Sequence, residues 1–264
     1  MNTNGTFELI RSEEIKEYSA DKLMKWKQFR QWILNQSERF ATTTIFRGHA
    51  RATYSLKTSF HRTGRRNLFR YTYEDVRILC RDVEATLDTR YNLDDANDFG
   101  GLLYLAQHHG FPTPLLDWTT SPFVAAYFAF ENADQEVGDN NAVRVLLFNL
   151  DGWPHNKVGT IGVVMPTFAR LNLRATQNPR ALPQQYVPMF SNIVDIEGFV
   201  CREEERLNRR FLQRVDIPAS ERPTAMRELA AMGVTAGSLF PGLDGLCRTL
   251  AEKHFQRDGH EQSF

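Results

Sequence analysis

Leu23, Trp26, Phe29 and Ile33 recur at three- and four-residue intervals, the period of one helix face, and predict an N-terminal helix over residues 21–36. Before it, Phe7–Ile10 has the make-up of a short strand. The β-branched run Thr42–Phe46 predicts a strand that runs into Arg47-Gly48, and residues 54–60 a second, short one. Helices are expected at 73–91 and 99–109, the latter stopped by Gly110 at a C-cap position. The run Leu115-Leu116 stops at Asp117, three hydroxyls follow at Thr119, Thr120 and Ser121, and Ser121-Pro122 is an N-cap and N1 pair. The hydroxyls therefore belong at a strand-to-helix corner, where side chains and helix-terminal N–H groups face a ligand.

The helix so opened, 122–131, is apolar nearly all round and reads as buried. Val143–Leu150 and Ile161–Met165 are apolar runs of strand length, and 178–188 is a proline-rich loop. Ile193–Val200 alternates, with Asp195 and Glu197 on one face of a predicted strand and Val194, Ile196 and Gly198 on the other. A charged stretch at 202–210, a turn at Ile217-Pro218 and helices at 222–232 and 243–255 complete the chain.

Nothing in the 264 residues resembles a linker between two self-sufficient halves, so one domain over 1–264 is expected, in the length range that buries a sizeable core. Lys and Arg number 32, as do Asp and Glu, which argues against a basic coat over the whole surface but leaves room for a local patch. That patch is found between Arg47 and Arg81, where nine Arg and Lys residues stand against only Glu74 and Asp75, with aromatics interleaved. Arg62, Arg65, Arg66 and Arg70 are its centre and make it a candidate acceptor surface for RNA or single-stranded DNA. Its alternative is a solvated helix and loop balanced by acidic segments elsewhere.

Cys80, Cys201 and Cys247 are too few and too widely spaced for a disulfide framework or a zinc site. With no signal peptide and no long apolar run, the expected place is the cytoplasm, with no membrane partner. Adjacent His108 and His109 lack a second ligand pair, and no metal is expected. No P-loop, dinucleotide glycine fingerprint or nucleophile elbow is present.

Phe46-Arg47-Gly48, Gln107-His108-His109-Gly110, Leu115-Leu116-Asp117-Trp118-Thr119 with Ser121-Pro122, and Leu239-Phe240-Pro241-Gly242-Leu243-Asp244-Gly245 occur in that order. Together they resemble the FRG-domain family over a motif core of about residues 40–250. The chain departs from the family pattern at Pro114, where members carry arginine. More distantly, Arg47, then Thr119-Thr120-Ser121, then Glu197 resemble in order and residue type the triad of ADP-ribosyltransferases.

That resemblance implies an α+β fold with a central, mainly antiparallel split sheet flanked by helices. It also implies transfer of ADP-ribose from NAD, as co-substrate, to a macromolecular acceptor that includes RNA among its candidates. Glu197 would stabilise the oxocarbenium-like ribose and Asp195 orient or deprotonate the acceptor. Arg47 would grip the diphosphate, and Thr119, Thr120 and Ser121 would line the nicotinamide ribose. Tyr54, Phe60 and Trp118 are the candidates to pack on nicotinamide, and Glu203, Glu204 and Glu205 compete with Glu197 for the carboxylate role. Toxin and antiviral-defence members imply a neutralising antitoxin protein. An NAD glycohydrolase, or a non-catalytic nucleic-acid or protein-binding module, fits the same residues. For three residues there is also a scaffold reading: Arg47 paired with Asp117, Ser121 as a cap, and His108 as a buried, hydrogen-bonded side chain.

Overall fold

The computed structural model describes residues 22–36, 43–133, 141–156, 165–171 and 179–255. The strands are β1 (Lys22–Leu23), β2 (Thr44–His49), β3 (Leu115–Thr119), β4 (Ala142–Asn149), β5 (Phe168–Arg170), β6 (Tyr186–Ser191) and β7 (Leu212–Pro218). Among the described residues they form one mixed seven-stranded sheet in the order β1-β7-β4-β2-β3-β6-β5. Every neighbouring pair is antiparallel except β1 with β7. Helices flank both faces: α1 (Trp26–Asn35), α2 (Ser59–Arg62), α3 (Leu68–Arg70), α4 (Val76–Leu87), α5 (Ala96–His108), α6 (Pro122–Glu131), α7 (Ile196–Leu207), α8 (Arg222–Ala231), α9 (Ala236–Leu239) and α10 (Leu243–Phe255). The architecture is α+β.

β4 shows why the sheet is central. Val143, Val145 and Leu147 point into one core with Trp26, Phe29, Phe130 and Leu229, while Leu146 and Phe148 point into another with Trp118, Trp153 and Phe211. A strand covered on both faces reads as a continuous apolar run, as this one does. A third core joins α2, α4 and α5 through Phe60, Val76, Phe99 and Leu102 to the far end of β3 and β6. Helix α6 is buried along most of its length, as its composition predicts. Helix α1 buries Trp26, Phe29 and Ile33, and its Trp26 indole and Arg30 both reach Glu228 of α8.

The sheet is split at its middle. β2 pairs with β4 from Thr44 to His49, and β3 with β6 from Leu115 to Thr119, yet β2 and β3 meet only at Phe46 opposite Thr119. Past that pair the strands part.

Several expectations are corrected. Residues 193–200 are not a strand: Asp195 accepts a hydrogen bond from the Gly198 amide as the N-cap of α7. Its helix buries Ile196, Phe199 and Val200, and Glu197 lies in its first turn. Residues 54–60 form an extended loop that turns into α2, capped by Thr58 on the His61 amide. Ile217-Pro218 ends strand β7, and Leu23 belongs to β1 rather than to the first helix. Phe7–Ile10 and residues 161–164 lie outside the described residues, and Met165 is an exposed bend.

Candidate functional site

Each residue of the Phe46-Arg47-Gly48 tripeptide does a different job at the split. Phe46 is buried in the core beneath α6. Gly48 lets that helix approach: a Cβ at this position would lie 2.0 Å from the Ala125 carbonyl oxygen and 2.7 Å from the Ala129 nitrogen, both backbone atoms. Arg47, on the opposite face, reaches across the opening and donates through Nη1 to the Asp117 carbonyl of β3 at 2.5 Å. A guanidinium thus takes over an acceptor that would otherwise bond along the ladder. The scaffold reading of Arg47 holds in this modified form: its bonded partner is the backbone of Asp117. The Arg47 Nε is buried without a hydrogen-bond partner among the described residues.

A cavity of about 730 Å³ opens where the strands part. Arg47, His49, Tyr54, Lys57 and Arg62 line it from β2, the loop after it and the end of α2; His108, Asp117, Trp118 and Thr119 from α5 and β3; Arg180, Gln184, Tyr186 and Phe240 from the later chain. Among the described residues, Asp117 is the cavity's one carboxylate, against the cations of Arg47, Lys57, Arg62 and Arg180 in the same lining. Asp117 is exposed, and one of its oxygens accepts from the Gln107 amide, whose own oxygen accepts from Thr113. That relay fixes the carboxylate's direction. Pro114, the departure from the family pattern, is buried just beside it and leaves the cations to Arg47 and its neighbours.

The electrostatics follow from burial and this excess of positive charge. Burial lowers the Arg47 pKa, Asp117 raises it and Arg62 lowers it further; an arginine nonetheless stays charged at physiological pH. His49 is pushed down to about 3, first by burial and then by Arg47, so its ring is neutral at physiological pH. Its Nδ1 contacts the Tyr54 carbonyl at 3.2 Å, consistent with Nδ1–H donating there. Burial, with the negative charge of Asp117, raises the hydroxyl pKa values of both Tyr186 and Tyr104, so both keep their protons.

The expected site residues divide sharply. Arg47, Tyr54, Thr119 and Arg62 line the cavity; Thr120, Ser121, Asp195, Glu197, Arg65, Arg66 and Arg70 do not. Of the corner hydroxyls, Thr119 donates to the Gln184 carbonyl and Thr120 to the Gln185 side chain, while Ser121 caps α6 on the Val124 amide. Glu197 stands behind the cavity wall. It pairs with Arg214 at 3.2 Å and accepts from the Leu56 amide at 3.2 Å, bracing the loop that carries Tyr54 and Lys57. Glu203 binds His155 and Arg206, and buried Glu204 accepts from the amides of Phe211 and Leu212. Of the ring candidates, Tyr54 and Trp118 line the cavity and Phe60 is buried elsewhere.

Asp117 and His108, which the sequence reading assigns to scaffold, are on the cavity wall instead. His108 keeps a scaffold bond as well, through Nδ1 to the Tyr104 carbonyl. Arg180, Gln184, Tyr186 and Phe240 were not foreseen; the one signal for Phe240 was its place in the motif near the chain's end. Among the described residues no cluster of metal-ligating side chains occurs, and no helix is long and apolar enough to cross a membrane.

The fold and site define an α+β protein with a cationic, aromatic-edged cavity at the split of its sheet. Residues 42–137 are similar to the family described as the FRG domain. That segment holds the β2 and β3 walls, from Arg47 to Thr119, and not the wall from Arg180 to Phe240. No curated protein and no solved structure matches the chain.

Proposed function

We propose that the cavity binds NAD and that the protein transfers ADP-ribose to a macromolecular acceptor, on an ADP-ribosyltransferase-like fold. The observation that carries this reading is the cavity's make-up: cations at Arg47, Lys57, Arg62 and Arg180, rings at Tyr54, Trp118 and Phe240, and the single carboxylate of Asp117. NAD is a diphosphate between two riboses and two flat rings. Arginine forks suit the diphosphate, aromatic edges suit the rings, and a volume near 730 Å³ falls within the ordinary range of ligand sites.

In the transfer, the bond between C1′ of the ribose and nicotinamide breaks and its electron pair leaves with neutral nicotinamide. An acceptor oxygen or nitrogen then bonds to C1′ and gives its proton to a base. A carboxylate near the ribose stabilises the developing cation most in the transition state. Asp117 takes that part here, and Glu197, through Leu56, positions the wall that holds the substrate. An enzyme that marks cellular macromolecules in the cytoplasm endangers its host, so a neutralising protein partner belongs to the proposal.

A second reading, a non-catalytic nucleotide-binding module, is favoured by the engagement of Glu197 and Asp195 outside the cavity. Incubation with NAD labelled on the adenylate phosphate, together with cellular RNA and protein, separates the readings. Label on polymer supports transfer, free labelled ADP-ribose indicates a glycohydrolase, and binding without turnover indicates a module. Asp117→Asn is expected to bind NAD and lose turnover. Arg47→Lys, lacking the fork, is expected to bind about tenfold more weakly or worse. Absence of NAD binding by the parent protein would sink the proposal.

A further inference from the structure

Two large aromatic side chains stand in water on the basic run of chain that follows Arg62 of the cavity wall. Phe69 is 64% exposed and Tyr73 44% exposed, and their rings lie 4.5 Å apart, tilted by 42°. They flank Tyr71, which turns inward, is 2% exposed and donates its hydroxyl to the Pro112 carbonyl. Phe69 lies on α3 and Tyr73 on the turn that follows it, Tyr71–Asp75, which is π-helical, an irregular turn that recurs at functional sites. Buried Tyr71 anchors the segment between the two outward rings.

The surroundings say what covers this pair. Arg66, Arg70 and Arg77 are exposed on the same segment, and Arg62 on the same run of chain is exposed and lines the cavity. Arg65 and Arg70 are tied to Asp75 and Glu74, so the patch is narrower than the sequence suggests. Among the described residues, Arg66 and Arg77 have no carboxylate within ion-pair distance. Buried His61 lies on the same run of chain: burial, then Lys57 and Arg66, lower its pKa to about 4.

Exposed rings with free guanidinium groups beside them match unpaired bases joined by phosphates; an apolar protein partner would not call for the cations. We infer that Phe69 and Tyr73 form a stacking platform for a single-stranded polynucleotide, whose backbone follows Arg66 and Arg77 on the platform and Arg62 towards the cavity. As an acceptor site this rests on the NAD reading above; as a binding surface it does not.

The test is fluorescence anisotropy of the full chain with labelled single-stranded RNA and DNA oligomers of about 12 nucleotides, without NAD, over a salt series. The parent is expected to bind. The double variant Phe69→Ala/Tyr73→Ala is expected to bind about tenfold more weakly, and a duplex of equal length to bind less well than the single strand. In Arg66→Ala/Arg77→Ala the slope of log affinity against log salt should fall by about 1.4, two phosphate contacts. Circular dichroism melts report folding of the variants, and calorimetric titration with NAD should give the parent's affinity for both, since none of these residues lines the cavity. No oligomer binding, equal binding of the duplex, or an undiminished affinity in the aromatic variant would overturn the inference. So would a protein complex that needs Phe69 and Tyr73 and survives nuclease treatment while no oligomer binds. None of those results bears on NAD binding in the cavity, which the titration reads separately.

Discussion

His49 and His61 are held neutral by their surroundings, and stability must depend on pH as a result. Burial is the first cause in both, followed by the charge of Arg47 at His49 and of Lys57 at His61. Folded values of about 3 and about 4 lie below the ordinary 6.5, so the unfolded chain binds protons that the native state refuses. The stabilisation is complete above pH 6.5 and is lost as pH falls towards about 4 for His61 and about 3 for His49, at up to about 1.4 kcal/mol per pH unit for each ring. Glu203, held down to about 2 first by its hydrogen bond from Arg206, loses its contribution only below pH 4.5, a lower window. Glu131 and Glu252, raised mainly by burial, act in the opposite direction, so the histidines themselves must carry the comparison. Urea unfolding at pH 7, 6 and 5 should show a falling midpoint in the parent and a flatter one in His49→Gln and His61→Gln. Parallel slopes in all three proteins would mean that the rings titrate freely.

At the scale of elements, the contact of β2 with α6 depends on the missing side chain at Gly48. Gly48→Ala puts a methyl group 2.0 Å from the Ala125 carbonyl, which cannot rotate away, and should cost about 2 kcal/mol or more in chemical denaturation. Glu204 is an equally local support: its carboxylate accepts the amides that start β7, so Glu204→Ala orphans two buried donors and should cost about 2–4 kcal/mol. These positions also show how far a sequence can be read. Strand β2, the Ser121 cap and helix α6 were legible because apolar period, capping residue and Pro at N1 agree. Residues 193–200 misled because Val194, Ile196 and Gly198 alternate with Asp195 and Glu197, while Ile196, Phe199 and Val200 also fit a helix face. The Asp195 bond to Gly198 decides in favour of the helix. Strand β7 was hidden by its terminal Pro218, though Leu212, Val215 and Ile217 are buried. The cavity was half legible. Arg47, Tyr54, Arg62 and Thr119 announced themselves by motif, composition or corner, but Arg180 and Tyr186 reach it only through pairing of β6 with β3, which no local pattern encodes.

For the whole molecule, the consequence of the split is that, among the described residues, two groups of strands share one ladder pair, Phe46 with Thr119, beside a hydrogen bond from the Arg47 side chain and ring contacts such as Trp118 with Phe148. The cavity takes walls from both groups, Arg47 and His49 from β2, Asp117 and Tyr186 from β3 and β6. A ligand that contacts both walls therefore adds cross-links where the sheet has fewest, and it stabilises the native state by its own binding free energy. At a hundred times its dissociation constant that amounts to about 2.7 kcal/mol, a rise of roughly 5–10 °C in melting temperature for a chain of this size. NAD or ADP-ribose at that excess should produce the rise in the parent, and Arg47→Lys should blunt it at equal concentration. Hydrogen exchange gives the decisive reading: amide protection should increase in β2 and β4 and also in β3 and β6. Protection gained on one side alone would mean that the ligand sits against a single wall and that the split is not its seat.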